Sequence, residues 1–114
     1  MSRIAYVNGR YVPHGAAFVH IEDRGYQFAD SVYEVCEVLR GELVDAPRHL
    51  ARLKRSLGEL RIAAPMAEAA LIRVLREVAA RNRVANGYVY LQVTRGVARR
   101  DHAFPSPAVR PSVV

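Results

Sequence analysis

At Pro47 the apolar residues of this chain stop alternating and begin to recur every three or four positions, and this change of period constrains the fold most. Leu50, Leu53, Leu57 and Leu60, spaced by 3, 4 and 3, form one stripe along a helix. Pro47 suits the first turn of that helix, where its missing N–H leaves nothing unpaired. A second helix is expected over residues 67–83, with Ala70, Leu71, Val74, Leu75 and Val78 on its apolar face and Asn86-Gly87 ending it. Outside this helical stretch the pattern suits strands. β-Branched and aromatic residues over 32–39 favour a strand, and Gly41-Glu42 turns it into Leu43-Val44. Residues 88–94 place Tyr88, Tyr90, Gln92 and Thr94 on one face and Val89, Leu91 and Val93 on the other. Asn8-Gly9, between the apolar runs 4–7 and 11–12, predicts a type I′ hairpin. Residues 22–28 are polar and contain glycine, and the proline-bearing tail 104–111 reads as loop before a last short strand from about Val109. Strands, two helices, then strands predict an α+β domain, a largely antiparallel sheet with two helices packed on one side. One domain is expected over residues 1–114, and the apolar stretch 111–114 reads as an interrupted strand.

Composition narrows the functional classes. With 114 residues, 51% hydrophobic and 25% charged, the chain suits one soluble domain. No apolar run approaches the roughly 18 residues that would suggest a membrane span, and the N-terminus has no signal-peptide pattern, so a cytoplasmic protein is expected. Cys36 is the only cysteine; it reads as a buried structural thiol, and no Cys/His cluster has metal-ligand spacing. The charge of +6 comes almost wholly from arginine, since Lys54 is the sole lysine. Arginine suits carboxylates and phosphates because its fork of donors pairs with two oxygens at once. A basic module for nucleic acid or a partner protein is the alternative from another class. The arginines are scattered, however, and no recognisable nucleic-acid motif accompanies them, so no nucleic-acid partner is expected.

Four segments, in order and in register, carry a family resemblance. Glu22-Asp23-Arg24-Gly25-Tyr26-Gln27-Phe28 followed by Val32-Tyr33-Glu34-Val35 is similar to a region of the D-amino-acid aminotransferases, which are class IV, fold-type IV enzymes of pyridoxal phosphate. His49-Leu50-Ala51-Arg52-Leu53 resembles the H-x-x-R-L of the family's first helix. Residues 90–96 resemble its central strand, and Arg100-Asp101-His102-Ala103-Phe104-Pro105 its R-x-H-x-F-P loop. The likeness covers essentially the whole chain and implies the small N-terminal domain of such an enzyme. Branched-chain aminotransferases and aminodeoxychorismate lyases share the fold and H-x-x-R-L, and they are the alternatives within it.

The resemblance implies a role for individual residues. Arg52 is assigned to the phosphate of pyridoxal 5′-phosphate; on its own the helical wheel turns it more than about 90° from the leucine stripe, as for a solvated helix residue. Arg100 and His102, with the Tyr33 hydroxyl as third member, are assigned to the substrate's α-carboxylate. In an extended loop, positions i and i+2 point the same way, so Arg100 and His102 converge while Arg99 and Asp101 face away. The plainer alternatives are a charged surface loop for Arg99-Arg100, a surface or capping role for His102 and a strand aromatic packed in the sheet for Tyr33. Tyr26, Tyr88, Tyr90 and Arg95 read as packing and strand pairing, and His14, His20 and His49 as lacking partners at useful spacing, although His49 could orient the helix or approach the cofactor. Transamination needs a lysine that holds the cofactor as a Schiff base and shuttles a proton. The family carries it on a larger C-terminal domain outside these 114 residues, and Lys54 does not stand at its position. No catalytic residue is therefore expected in this chain. The resemblance further implies a homodimer acting on small molecules: D-alanine, D-glutamate, pyruvate and 2-oxoglutarate.

Overall fold

A computed structural model of the chain describes residues 3–114. β1 (Ile4–Val7) and β2 (Arg10–Pro13) pair antiparallel, with Tyr6 opposite Tyr11. Asn8 and Gly9 both take positive φ, 47° and 93°, as a type I′ turn requires. A single 3-10 turn, His14–Ala16, leads to a helix that the polar segment 22–28 did not announce, α1 (Arg24–Phe28). Asp23 starts it by accepting the Gly25 N–H at 2.8 Å, the bond an N-cap side chain supplies. β3 (Ser31–Leu39) and β4 (Glu42–Leu43) follow, then α2 (Ala46–Leu60), α3 (Glu68–Arg81), β5 (Gly87–Thr94) and β6 (Ser112–Val113).

The main sheet has the order β4-β3-β5-β6, and all its pairings are antiparallel. Cys36 and Val38 from β3 and Val89, Leu91 and Val93 from β5 meet Leu50, Leu53, Leu57, Leu71, Leu75 and Ala79 of the two long helices in one core. Helices on one side of an antiparallel sheet are the α+β arrangement that the change of period predicts. Cys36 is buried, with its Sγ 3.2 Å from the Val44 carbonyl oxygen.

Three local expectations need correction. Leu60 is 38% exposed and leaves the leucine stripe, because the helix ends there and Arg61 turns into the left-handed region. α3 stops at Arg81, before the Asn86-Gly87 pair. Asn82 ends it by bonding the Val78 carbonyl (2.7 Å), and its side chain also grips both backbone groups of Ile4 (2.9 Å each), fastening the hairpin to the helix. Gly87 instead opens β5, and Asn86 Oδ1 accepts the Arg40 N–H.

Candidate functional site

Alternation along β3 turns Glu34, Cys36 and Val38 toward the helices and leaves Tyr33, Val35, Glu37 and Leu39 exposed. A carboxylate on the core-facing side has to find partners, since an unpaired buried charge is strongly disfavoured. Glu34 is only 4% exposed and finds two on α2. Arg52 reaches it through Nε and Nη2, both at 2.8 Å, as a bidentate fork. His49 Nδ1 lies 2.7 Å from Glu34 Oε1 and is the donor, because a carboxylate only accepts. His49 and Arg52 are three residues apart and so share a helix face. The Arg52 hydrogen bonds, opposed by burial and reinforced by His49, hold the Glu34 carboxyl below its ordinary range. Arg52 in turn is held firmly charged by Glu34.

Arg52 is thus more than a solvated helix residue: its side chain is 67% exposed, yet its guanidinium is tethered to a buried anion. The expectation that His14, His20 and His49 lack partners is likewise overturned. His49 meets Glu34, Arg3 donates to His14 Nδ1 at 3.3 Å, and His20 Nδ1 accepts the Glu22 N–H at 2.9 Å. Glu34 was legible in principle, because it is a charge on the same strand face as Cys36 and Val38.

Tyr33 occupies the other side of β3, where it is 63% exposed and stacks on Tyr90 with ring centroids 5.6 Å apart. It is not packed into the sheet. The Tyr90 hydroxyl donates to Gln92 Oε1, and Gln92 Nε2 donates to Ser31 Oγ, each at 2.9 Å, so the open face is an ordered polar-aromatic surface.

Arg100 and His102 come together on one ring. The Arg100 guanidinium lies 5.2 Å from the Phe28 centroid and the His102 ring 5.6 Å from it. The segment bearing them is irregular and is held from below by Arg24, whose Nη1 donates to the carbonyls of Asp101 (2.6 Å) and Ala103 (3.4 Å). Arg24 Nε binds Asp30 Oδ2 at 2.8 Å, and Arg95 grips both Asp30 oxygens at 2.7 and 3.1 Å. Arg95 also bonds the carbonyls of Leu60 (2.6 Å) and Arg61 (3.0 Å) at the end of α2 and lies 3.6 Å over the Phe104 ring. Burial pushes the Asp30 carboxyl up, but the hydrogen bonds of the two arginines outweigh it and the net direction is down. Packing and strand pairing therefore understate Arg95, which joins a helix end, a carboxylate and an aromatic ring.

Arg52, Tyr33, Arg100 and His102 stand outside the main hollows of the surface. A hollow of about 520 Å³ beside Phe28 is lined by Arg24, Asp30, Arg61, Arg95 and Phe104 among others, and by none of Arg52, Tyr33, Arg100 and His102. Lys54 lines a different hollow, of about 440 Å³, with residues of both α2 and α3 such as Leu50 and Leu71. Among the described residues no group of His, Cys, Asp and Glu is arranged to hold a metal, and no helix is long and apolar enough to cross a membrane.

Fold and site define an α+β unit that displays arginine and histidine donors suited to anions. Residues 31–114 match the family model described as amino-transferase class IV, and the chain belongs to that family. Over 109 residues it is 38% identical to D-alanine aminotransferase of Staphylococcus haemolyticus, an alignment covering 96% of this chain and 39% of the relative. The branched-chain amino acid aminotransferase structure from Escherichia coli superposes with TM-score 0.89 at 18% identity, covering 99% of this chain and 38% of that one. For 4-amino-4-deoxychorismate lyase from Pseudomonas aeruginosa the TM-score is 0.70 at 30% identity, covering 95% of this chain and 37% of that one. The chain therefore spans about two-fifths of the length of these relatives.

Proposed function

We propose that this chain is the small N-terminal domain of a pyridoxal-phosphate enzyme that exchanges amino groups between D-amino acids and 2-oxo acids. The observation that carries the reading is the convergence of Arg100 and His102 on Phe28, from a loop that Arg24 holds. A guanidinium fork and an imidazole that rest on the same ring suit one planar carboxylate better than two separate anions. Tyr33 would add a hydroxyl donor to that carboxylate. The 38% identity to a D-alanine aminotransferase supports D-amino acids as substrates. The higher structural similarity to a branched-chain enzyme, at 18% identity, speaks for the fold alone.

The donor set also suits the cofactor's phosphate. Arg52 carries more N–H groups than the two that Glu34 takes, and the tether to Glu34 keeps its exposed guanidinium from wandering. When bound, pyridoxal phosphate supplies an electron sink for the bonds at the substrate's Cα. In this reading Arg52 anchors the phosphate, and Arg100, His102 and Tyr33 orient the carboxylate. In this reading the lysine that the chemistry requires is supplied from outside these 114 residues, and Lys54, which lines the hollow beside α2 and α3, takes no part.

A homodimer belongs to the same proposal. Arg61, whose carbonyl Arg95 holds, is nine residues from Arg52, about 13 Å along α2 at ~1.5 Å per residue. In this proposal a second copy delivers its Arg100 and His102 to the Arg52 of the first. A cytoplasmic location goes with this reading.

The test uses the protein as its own cells make it, supplied with pyridoxal phosphate, 2-oxoglutarate and either D- or L-alanine. Pyruvate formed from D-alanine and not from L-alanine is the expected result. Turnover of L-valine or L-leucine in place of D-alanine would move the assignment to a branched-chain enzyme.

A further inference from the structure

We infer that Arg24 is a positioning residue that sets the spacing of Arg100 and His102, and so decides whether the two close on one carboxylate; the inference rests on the proposed role of that pair. Residues 98–111 belong to no helix or strand. Their backbone lacks the ladder of hydrogen bonds that fixes a strand, and something else has to hold it. Arg24 Nη1 takes the carbonyls of Asp101 and Ala103, the residues on either side of His102. The same guanidinium lies 4.7 Å from the centroid of Phe28, the ring against which Arg100 and His102 also rest. One cation thus fixes the backbone around His102 and the aromatic surface that both donors lean on.

Arg24 is itself buried and tied down. It is 3% exposed, and its Nε is tied to Asp30, which Arg95 holds from the other side. Arg95 also lies over Phe104, two residues past His102, so the far end of the loop is gripped by the same cluster. The cluster also explains physically why the segments 22–28 and 100–105 occur together: they are two halves of one contact.

Lysine at position 24 keeps the charge, but a single ammonium cannot span Asp30 and two carbonyls as a guanidinium does. In the 114-residue chain, Arg24→Lys is expected to speed amide hydrogen exchange at His102 and Ala103 while leaving β3 and β5 protected. Titration with pyruvate, followed by NMR at Arg100 Nε and the His102 ring, is expected to show both signals moving with one Kd in the wild type. In Arg24→Lys that Kd should weaken about tenfold or more, the effect of losing one hydrogen bond to a charged group. Inorganic phosphate should shift Arg52 Nε equally in both proteins, which separates positioning of the loop from general damage. Unchanged loop exchange and an unchanged pyruvate response in Arg24→Lys would overturn the inference. Should that variant not fold, the wild type decides: slowly exchanging Arg24 guanidinium protons with cross-peaks to Ala103 support the inference, and fast exchange without them refutes it. Loop order that depends on Arg24, with no pyruvate response in the wild type, would remove the carboxylate role and leave the positioning intact.

Discussion

Glu34 occupies a position that strand alternation reserves for an apolar side chain, and its burial depends on Arg52 and His49 remaining bound to it. Because the folded carboxyl titrates below its ordinary value of 4.5, its contribution to stability is fully present above that pH and is lost as pH falls through the lowered value. Glu34→Gln should therefore lower the melting temperature at pH 7 and flatten the decline between pH 4.5 and the acid limit; parallel thermal melts of variant and wild type would show it. Gly96 is a second position where one residue decides. Its φ is +113°, and a Cβ there would collide with the Arg110 carbonyl, which is backbone and has no rotamer to yield. Gly96→Ala is expected to destabilise by about 1–3 kcal/mol, measurable by urea unfolding. Neither position belongs to the apolar pattern. Glu34 could have been suspected from its strand face, whereas Gly96 carries no mark in the sequence that separates it from other glycines.

At the scale of elements, α2 shows where periodicity succeeds and where it ends. Leu50, Leu53 and Leu57 are buried as their spacing predicts, and Leu60 is not. Leu53→Ala should cost about 2–5 kcal/mol, whereas Leu60→Ala should stay within about 0.5 kcal/mol of wild type; urea denaturation of the pair checks both. The cluster of Arg24, Asp30 and Arg95 joins α1, the end of β5, the end of α2 and the loop after β5. Asp30→Asn leaves two buried guanidinium groups without their anion, a loss of about 3–5 kcal/mol. The same measurement applies, with exchange at residues 100–104 expected to rise before the core is affected. The polar, glycine-containing segment 22–28 gives no sign of its short helix, because five residues carry too little apolar repeat to register.

For the whole molecule, the proposed roles cover a phosphate and a carboxylate and assign no residue of this chain to the Schiff base. The 114-residue chain, incubated with pyridoxal phosphate, D-alanine and 2-oxoglutarate, should form no pyruvate. Borohydride reduction should fix no cofactor on the chain, Lys54 included. Pyruvate formation by the isolated chain would contradict both the assignment of roles and the reading of Lys54 as a bystander.

The long helices, the main strands and most of their buried faces can be read directly, because such elements declare themselves through spacings of two to four residues along the chain. The Asn-Gly hairpin, the leucine stripe and the two faces of β5 are all of this local kind. The charge pairings are not. Glu34 meets Arg52 across 18 residues and Asp30 meets Arg95 across 65, while the Arg24 guanidinium finds the backbone carbonyl of Asp101 across 77. Which cation finds which anion depends on how the helices lie across the sheet and where the loop after β5 returns, and only the folded chain decides that, since Coulomb attraction and hydrogen bonding act through space and leave no period in the sequence.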